Sequence, residues 1–323
     1  MTHRARRAVR APCGWSLLAL VWLAVGCTVD SSAAAGSRTA GAGDVPADSF
    51  VVDGRGKRLS TGTPRERVVS LVPSLTEIIV ELGGASQLVG RTRFDEDPRI
   101  AEVPSVGGTV SPDVEAILDS RPDLVVTWSD ADARSLSERF ESFDLPVYAA
   151  RARSIADFDR HAAALGALLG RSGQADDLVA RVHERFDDLR VEVPEEARPK
   201  VLFVVWPQPL ITTGRDTFVD ELIRLVGGRG AFDDLADPWP TVSFEAVLER
   251  DPDLVIVSSE HAEGLVPDWI EEDPFWRTLD AVREGHVHLV DADVFNRPGP
   301  GMVDAAEELA GYVRAVRRER ENP

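Results

Sequence analysis

Two segments of the chain repeat one pattern of apolar and polar positions. Residues 114–126, VEAILDSRPDLVV, reappear as residues 244–256, FEAVLERDPDLVI. In each copy apolar residues recur at helical spacing, a Pro-Asp pair interrupts them, and a continuous apolar run follows. This order predicts a short helix that leads into a strand buried on both faces, as in a parallel sheet. A serine, Ser111 or Ser243, precedes each helix and is expected to cap its first turn.

A second pair of segments lies upstream of the first pair and has the same relationship. Apolar runs at 67–72 and 200–205 are typical of strands, and each leads through a loop to an amphipathic segment that ends in Gly-Gly. A glycine pair at that position suits the left-handed end of a helix. Third strands are predicted at 146–149 and 286–290. Two repeats in the same order predict two α/β lobes of the same design.

The region between the lobes predicts how they are joined. Residues 155–189 have helical periodicity with a break at residues 170–173, and a last helix is predicted at 302–318. The expected fold is therefore α/β, with two similar Rossmann-like lobes joined by a single long helix and a ligand cleft between them. The predicted boundaries are 65–150 for the N-terminal lobe, 151–198 for the linker helix region and 199–323 for the C-terminal lobe.

The first 26 residues have the organisation of a secretory signal. They contain four arginines and no acid, and the apolar run at 15–25 is shorter than the roughly 20 residues of a membrane span. Residues 23–27, LAVGC, resemble a bacterial lipobox, which predicts lipid attachment at Cys27. Ala24 stands where leucine is usual, so cleavage of an ordinary signal peptide near Ala24 is the alternative. Residues 27–64 are rich in small polar residues and predict a flexible tether.

Cysteine usage agrees with lipid attachment. The only cysteines are Cys13 and Cys27, and Cys13 is lost with the predicted signal. A single remaining cysteine cannot form an internal disulfide, and acylation explains why an exported chain keeps it.

The charge of the chain limits its partners. The net charge is −19, and the body is more acidic still because the basic signal is removed. Such a field repels nucleic acid and anionic lipid, so we expect membrane contact through the lipid anchor alone. It favours a protein partner with a basic docking face, although solubility alone would also explain it.

The sequence contains none of the common catalytic motifs that we sought. We find no nucleotide-binding loop, nucleophile elbow or zinc-ligand spacing, so neither an enzyme nor a cofactor is expected. Glu260 and His261 could act as acid and base in an alternative enzymatic reading, but no nucleophile or metal ligand accompanies them.

Aromatic residues follow several of the predicted strands. Ligands of parallel α/β sheets bind beyond the carboxyl ends of the strands. Trp128, Trp206 and Trp239 fall on such loops and predict a broad apolar floor for a flat ligand. The other predicted ligand contacts on these loops are Pro73, Ser74, Arg93, Phe94, Gly108, Phe295 and Arg297. The two phenylalanines would extend the floor. The two arginines would supply polar contacts or would simply lie on the surface.

Three motifs resemble one class of binding protein. Residues 69–77, VSLVPSLTE, resemble the opening of the helical-backbone periplasmic binding proteins, which serve ABC importers of vitamin B12, haem and iron–siderophores. Residues 237–248, DPWPTVSFEAVL, and 90–95, GRTRFD, are most similar to the cobalamin-binding members. The resemblance covers 66–316. It implies a monomeric lipoprotein of the cell envelope that captures cobalamin or a related corrinoid and delivers it to a permease.

The same resemblance implies how the protein meets its permease. One glutamate on each lobe of the class docks onto permease arginines, and the matching positions are Glu115 and Glu245, which the internal repeat makes equivalent. Two positions depart from the class. Phe94 stands where tyrosine is common, and Gly301 stands where a second arginine is usual, which argues against an anionic siderophore.

Other functions of the same scaffold stay open. Haem binders use tyrosine or histidine as axial ligands, and His261 is the one such residue expected to reach the cleft. An iron–siderophore ligand is a further alternative. So is a scavenging or sensory lipoprotein without a permease, because its pocket and anchor would look the same.

Overall fold

A short β-hairpin precedes the first lobe. The structure, a computed structural model, describes residues 49–259, 270 and 273–321. Within it β1 (Phe50–Val52) and β2 (Arg58–Ser60) pair antiparallel. The buried carboxylate of Asp53 accepts hydrogen bonds from the backbone N–H groups of Lys57 at 2.9 Å and Ala149 at 3.3 Å, which closes the turn and docks it on the lobe.

This hairpin corrects the predicted tether. Residues 50–60 are ordered against the lobe, so the prediction that 27–64 is wholly flexible is wrong for that part. An Asp-Gly turn between two short runs of strand-forming residues is a hairpin signal, and it outweighed the polar composition of the segment. The predicted signal peptide at 1–26, Cys27 and the first part of the tether lie outside the described residues.

Four parallel strands form the sheet of the N-terminal lobe. Their order is β4-β3-β5-β6, and they are almost wholly buried, as expected where helices cover both faces of a sheet. The strands are β3 (Val68–Ser70), β4 (Leu88–Gly90), β5 (Leu124–Trp128) and β6 (Val147–Ala150). The helices of the lobe are α1 (Pro73–Glu81), α2 (Val114–Asp119) and α3 (Ala131–Glu141).

The region between the two sheets contains two helices that form a hairpin. Helix α4 (Ile155–Leu169) ends at Gly170, and α5 (Ser172–Leu189) turns back along it. His183 Nε2 lies 2.8 Å from the carboxylate of Asp159, a contact that one straight helix would forbid because the two residues are 24 positions apart. The predicted break at 170–173 is confirmed. Helix α4 packs on α1 and β1 of the first part of the chain, and α5 is the single long helix along which the chain continues to the C-terminal lobe.

The C-terminal lobe repeats the parallel core of the first. Its sheet has the order β11-β10-β7-β8, with β9 beside β7; β8 runs antiparallel to β7 and the other pairings are parallel. The strands are β7 (Lys200–Pro207), β8 (Leu210–Thr212), β9 (Arg229–Gly230), β10 (Leu254–Ser259) and β11 (Val287–Asp291). The helices are α6 (Phe218–Leu225), α7 (Phe244–Arg250), α8 (Asp280–Arg283) and α9 (Ala292–Phe295).

The predicted internal repeat is confirmed by this topology. Strands β3, β5 and β6 of the first lobe correspond in order to β7, β10 and β11 of the second. The short helices α2 and α7 each lead into the middle strand of the three, as the repeated 13-residue pattern predicts. The fold is therefore α/β with two lobes.

The last helix, α10 (Met302–Glu321), packs against α5, α6 and β10. Its buried residues Met302, Val303, Leu309 and Val313 form an apolar stripe, and its remaining surface is charged. Among the described residues, no helix combines the length and apolarity needed to cross a bilayer.

One apolar core passes through both lobes and the linker. Buried side chains of β3, α1, α4, α5, α6, β7 and α10 belong to a single cluster, which includes Leu75, Leu165, Leu222 and Leu309. Each such side chain contributes about 1.5–3 kcal/mol on burial. A large hinge motion would expose part of this shared core, so the structure favours lobes that stay at a fixed separation.

Candidate functional site

Two tryptophans from different lobes line one hollow. Trp128 is the last residue of β5, and Trp239 follows Pro238 in a loop of the C-terminal lobe. The hollow has a volume of about 520 Å³. Its lining, which we call the tryptophan hollow, consists of Trp128, Ser129, Asp130, Ala150, Arg151, Ala152, Arg153, Pro238 and Trp239.

Backbone hydrogen bonds position both indole rings. Trp128 pairs with Ala150 at the carboxyl ends of β5 and β6, which places it at the rim of the sheet. The Asp237 carboxylate accepts the backbone N–H of Trp239 at 3.1 Å, and Gly214 N–H donates to the Pro238 carbonyl at 3.0 Å. Trp239 keeps 41% of its surface exposed, so an apolar ligand face could cover it.

A second hollow between the lobes is acidic. Its volume is about 380 Å³. The lining, which we call the acidic hollow, comprises Thr76, Glu77, Val80, Phe94, Asp95, Glu96, Asp97, Ile100, Asp291, Asp293, Val294, Arg297 and Gly301. Arg297 is the one basic residue of this lining, and it lies 2.5 Å from Asp293 and 3.9 Å from Glu77.

Burial controls protonation in the acidic hollow. It raises the pKa of Glu77 to about 7, because the charged form loses its hydration and the opposing attraction of Arg297 is smaller. Burial also raises the pKa of Asp95, against the hydrogen bonds that this carboxylate accepts from the N–H and hydroxyl of Thr92, both at 2.7 Å. The charge of this hollow therefore changes near neutral pH.

The structure brings some of the predicted ligand contacts together. Trp128 and Trp239 share the tryptophan hollow, whereas Phe94 and Arg297 share the acidic hollow. The guanidinium of Arg93 stacks 4.7 Å from the Phe94 ring, and a Cβ at Gly108 would lie 3.6 Å from the first side chain and 3.8 Å from the second.

Other predicted contacts lie apart from these two hollows. Trp206 is 57% exposed but lines neither, and its Nε1 donates to the Gln208 carbonyl at 3.0 Å. Its role as a ligand contact stays a prediction. Pro73 is half-buried at the start of α1, and Ser74 beside it is buried beneath Gly299, at a contact between the lobes instead of at a hollow.

The predicted ligand contact of Phe295 is wrong. Only 1% of its surface is exposed, and its ring stacks on Phe203 with the centroids 6.1 Å apart. Phe295 is the last residue of the one-turn helix α9, and its ring points into the core, where it meets Phe203 of β7. Phe295 therefore stabilises the lobe and does not extend the floor of the cleft.

Sequence reasoning missed four polar residues of the tryptophan hollow, namely Ser129, Asp130, Arg151 and Arg153. The two arginines follow β6, the third strand of the first lobe. That strand was predicted, but the rule that ligands bind beyond carboxyl ends was not applied to its loop. The signal was therefore present in the sequence.

The two glutamates proposed for docking occupy matching positions. Glu115 and Glu245 are each the second residue of a short helix, α2 or α7, and both are exposed. The α7 helix is capped by Ser243, as predicted, whose hydroxyl accepts the N–H of Ala246. The predicted Ser111 cap is wrong, because the Asp113 carboxylate accepts the equivalent bond in α2.

The described tyrosines and histidines are engaged away from both hollows. Tyr148 and His161 are buried and share a 2.7 Å hydrogen bond, and Tyr312 stacks on His288 with the centroids 3.8 Å apart. His183 contacts Asp159 in the linker, and His286 lies 3.2 Å from Glu319. Glu260 and His261 lie outside the described residues.

Comparison with known proteins shows where this architecture recurs. Residues 68–294 match the family model described as periplasmic binding protein. A vitamin B12-binding protein of Vibrio parahaemolyticus is 26% identical over 261 residues, which cover 80% of this chain and 92% of that protein. An uncharacterized ABC transporter substrate-binding lipoprotein of Bacillus subtilis is 26% identical over 255 residues, 77% of this chain and 80% of that protein.

A solved structure supports the same architecture. The periplasmic haem-binding protein of Roseiflexus sp. RS-1, in its apo form, superposes with a TM-score of 0.68 at 24% identity, covering 78% of this chain and 99% of that one. At this level of identity the similarity establishes the fold. The ligand must therefore be inferred from the residues that line the two hollows.

Proposed function

We propose, from the premise that this chain belongs to the periplasmic binding protein family and is the substrate-binding component of an ABC transporter, that it captures cobalamin or a related corrinoid. The observation that carries the proposal is the pair of indole rings, Trp128 and Trp239, that two lobes present to one hollow. A corrin is a broad, flat and largely apolar ring system. Aromatic faces on two sides of a cleft suit such a ligand.

The shared core supports a binder whose site is formed in advance. Because apolar side chains of both lobes and the linker belong to one cluster, the hollow keeps its shape without ligand. Preorganisation lowers the ordering cost of binding. Such a site suits a large rigid ligand, and we propose binding without turnover.

Haem is a weaker candidate for the same hollow. Haem iron is commonly held by tyrosine or histidine side chains. Neither described tyrosine lines the tryptophan hollow or the acidic hollow, and neither do the histidines at 161, 183, 286 and 288. The described part of the chain therefore favours a ligand that needs no axial protein donor.

Incubation of the purified protein with cyanocobalamin tests the proposal. We expect corrin absorbance to co-elute with the protein in about equimolar amount on size exclusion, and Trp239→Ala to weaken the complex. Parallel incubations with haem and with a ferric siderophore provide the comparison. Binding of either of these, without any corrin retention, would contradict the corrinoid assignment.

The second part of the proposal concerns the membrane. The family places the chain outside the cytoplasm. We propose that Cys27 is acylated and anchors it there, as its lipobox-like context in residues 23–27 indicates. Cys27→Ser should move the protein from the membrane fraction to the soluble extract. An unchanged distribution would contradict acylation at this cysteine.

The third part concerns the permease. Glu115 and Glu245 are exposed on equivalent helices, one on each lobe, and we propose that they bind arginines of the transporter. A protein that presents paired carboxylates at related positions suits a permease with two-fold symmetry. Charge complementarity at such an interface speeds encounter and fixes orientation.

A further inference from the structure

The tryptophan hollow contains two arginines whose charged ends contact no partner in the part of the chain that the structure describes. Arg151 and Arg153 are both exposed and both line it. Among the described residues, their guanidinium groups form no hydrogen bond and no ion pair. Arg99, Arg185 and Arg250, by contrast, each bind carboxylates elsewhere on the surface. The arginines of the hollow therefore have free binding capacity.

The backbone that carries these two arginines is fixed. The carbonyl of Arg151 lies 2.7 Å from His161 Nε2, and the N–H of Arg153 donates to the Asp157 carboxylate at 2.8 Å. Because Nε2 faces a carbonyl oxygen, it must carry the proton, and Nδ1 accepts the hydrogen bond of the Tyr148 hydroxyl. Burial lowers the pKa of His161, which keeps this arrangement neutral. The loop is therefore positioned before a ligand arrives.

The local charge of the hollow is opposite to that of the protein. The chain has a net charge of −19, but the described lining of the hollow contains two arginines and one carboxylate, Asp130. That carboxylate already accepts the backbone N–H of Ala133 at 2.7 Å, where it caps α3. An anion is therefore attracted to this part of an otherwise repulsive surface.

We propose that Arg151 and Arg153 bind an anionic group of the ligand, beside the apolar surface that Trp128 and Trp239 provide. This inference rests on the proposed ligand-binding function of the hollow and adds a chemical class to it: a flat ring system that carries a phosphodiester or a carboxylate at its edge. A guanidinium donates two parallel hydrogen bonds to either group. Cobalamin carries one phosphodiester, and haem carries two carboxylates.

The structure also explains why these arginines, and not Arg297, take this role. Arg297 is bound to Asp293 and faces Glu77, so its charge is already compensated within the acidic hollow. Arg93 is stacked on Phe94 outside the tryptophan hollow. Of the arginines predicted or found near the cleft, Arg151 and Arg153 combine a free guanidinium with a place beside both indoles.

Paired ligands test the proposal directly. Affinity for cobalamin and for cobinamide, which keeps the corrin ring but lacks the phosphodiester, is measured for the wild type and for the Arg151→Gln/Arg153→Gln variant. Arg181→Gln, which replaces an exposed arginine on α5, is the matched control. We expect the double variant to bind cobalamin about tenfold more weakly or worse, since hydrogen bonds to charged groups are lost. Its affinity for cobinamide should stay within about twofold of the wild type.

The salt dependence of cobalamin affinity is a second measurement, and a purely structural change in the hollow would not alter it. Wild-type affinity for cobalamin should fall as salt rises, and the double variant should lose most of this dependence. Equal weakening of both corrinoids in the double variant would overturn the proposal, because it would indicate a damaged hollow. Unchanged cobalamin affinity would overturn it as well.

Failure of the proposed corrinoid function can be separated from failure of this inference. If the wild type binds neither corrinoid, the corrinoid assignment is wrong, and the same variants are then compared with haem and with haem dimethyl ester, which lacks both carboxylates. Selective loss of haem in the double variant would support anion recognition by Arg151 and Arg153. Equal affinities of variant and wild type for haem would overturn it.

Discussion

The Glu77 carboxylate and the Arg297 guanidinium lie 3.9 Å apart, and the two residues belong to different lobes. Glu77 lies on α1, and Arg297 follows α9. The backbone of Gly299 approaches so closely that a Cβ there would lie 2.9 Å from Glu77 Oε2. The two lobes are therefore in direct contact at a carboxylate that titrates near neutral pH.

We expect stability to decrease as pH rises through the titration of Glu77. Burial raises its pKa to about 7 in the folded protein, against about 4.5 for an unfolded chain. Below pH 4.5 both states hold the proton and ionisation carries no penalty. Between pH 4.5 and pH 7 the carboxyl ionises in the unfolded state but stays protonated in the folded state, so the free energy of unfolding falls. Above pH 7 it is ionised in both states, and the cost of burying the charge is fully present. The side chain is 35% exposed, and solvent screening limits the effect to about 1 kcal/mol.

Glu77→Gln removes the ionisation and tests this pH dependence. The variant should unfold at higher denaturant concentration than the wild type at pH 8, and this advantage should vanish at pH 4. Glu138→Gln, which replaces an exposed carboxylate on α3, should show no such difference. Equal stability of Glu77→Gln and wild type at both pH values would show that Glu77 is not desolvated.

Trp239 and Phe295 should separate binding from stability. Trp239→Ala removes a ring that is 41% exposed in the tryptophan hollow, so we expect a loss of about 2 kcal/mol in ligand affinity with little change in stability. Phe295→Ala removes a ring that is 1% exposed and should lower the free energy of unfolding by about 3–5 kcal/mol. Calorimetric titration and denaturant unfolding of both variants give the comparison.

The opposite result would reassign these residues. If Phe295→Ala reduced affinity without destabilising the fold, the ring would have to turn out of the core toward the cleft. If Trp239→Ala bound ligand as tightly as the wild type, the tryptophan hollow would not be the binding site.

Charge reversal of the docking glutamates should affect transport alone. Glu115→Lys combined with Glu245→Lys should lower ligand uptake by cells about tenfold or more, since two attractive contacts become repulsive. Ligand affinity of the purified variant should be unchanged, because both residues are exposed and outside both hollows. Glu102→Lys combined with Glu138→Lys replaces two exposed carboxylates outside both hollows and controls for net charge, because it changes the charge of the protein by the same amount. Normal uptake by the double variant would exclude docking through these carboxylates.

The fold could be predicted because its signals are local. Periodic apolar positions followed by a Pro-Asp turn predict each helix–strand unit. The second copy of this pattern predicts the second lobe. The break in the linker could be predicted, but its direction could not, because helical periodicity does not say whether the chain continues or turns back. That information lies in a distant pair, Asp159 and His183, and in the burial of one helix against the other.

The site could be predicted only in part for a related reason. Trp128 ends β5 and Trp239 lies on a loop of the other lobe, and both could be predicted because ligands of parallel sheets bind beyond the ends of the strands. The orientation of a side chain depends on the turn that holds it, and α9 directs Phe295 inward. The pairing of Arg297 is only partly visible in the sequence, because Asp293 lies four positions away but Glu77 is distant along the chain.

The N-terminal hairpin should be coupled to the ligand hollow through Gly54. Its N–H donates to the Ala149 carbonyl at 2.6 Å, and a Cβ at this position would lie 2.8 Å from that oxygen and 2.8 Å from the Ser129 hydroxyl. Gly54→Ala must therefore displace the hairpin or the end of β6. We expect it to lower the free energy of unfolding by about 1–3 kcal/mol, as overpacking does.

The same substitution should weaken ligand binding, because Ser129 lines the tryptophan hollow and moves with the hairpin contact. Gly173→Ala is the matched control: its Cβ would meet no atom within 4 Å on α5, and alanine favours a helix by up to about 1 kcal/mol. Denaturant unfolding and ligand titration of both variants distinguish the two positions. If Gly54→Ala matched Gly173→Ala in both measurements, the hairpin would not be docked against the strands that carry the hollow, and residues 50–60 would return to the flexible tether that their composition suggests.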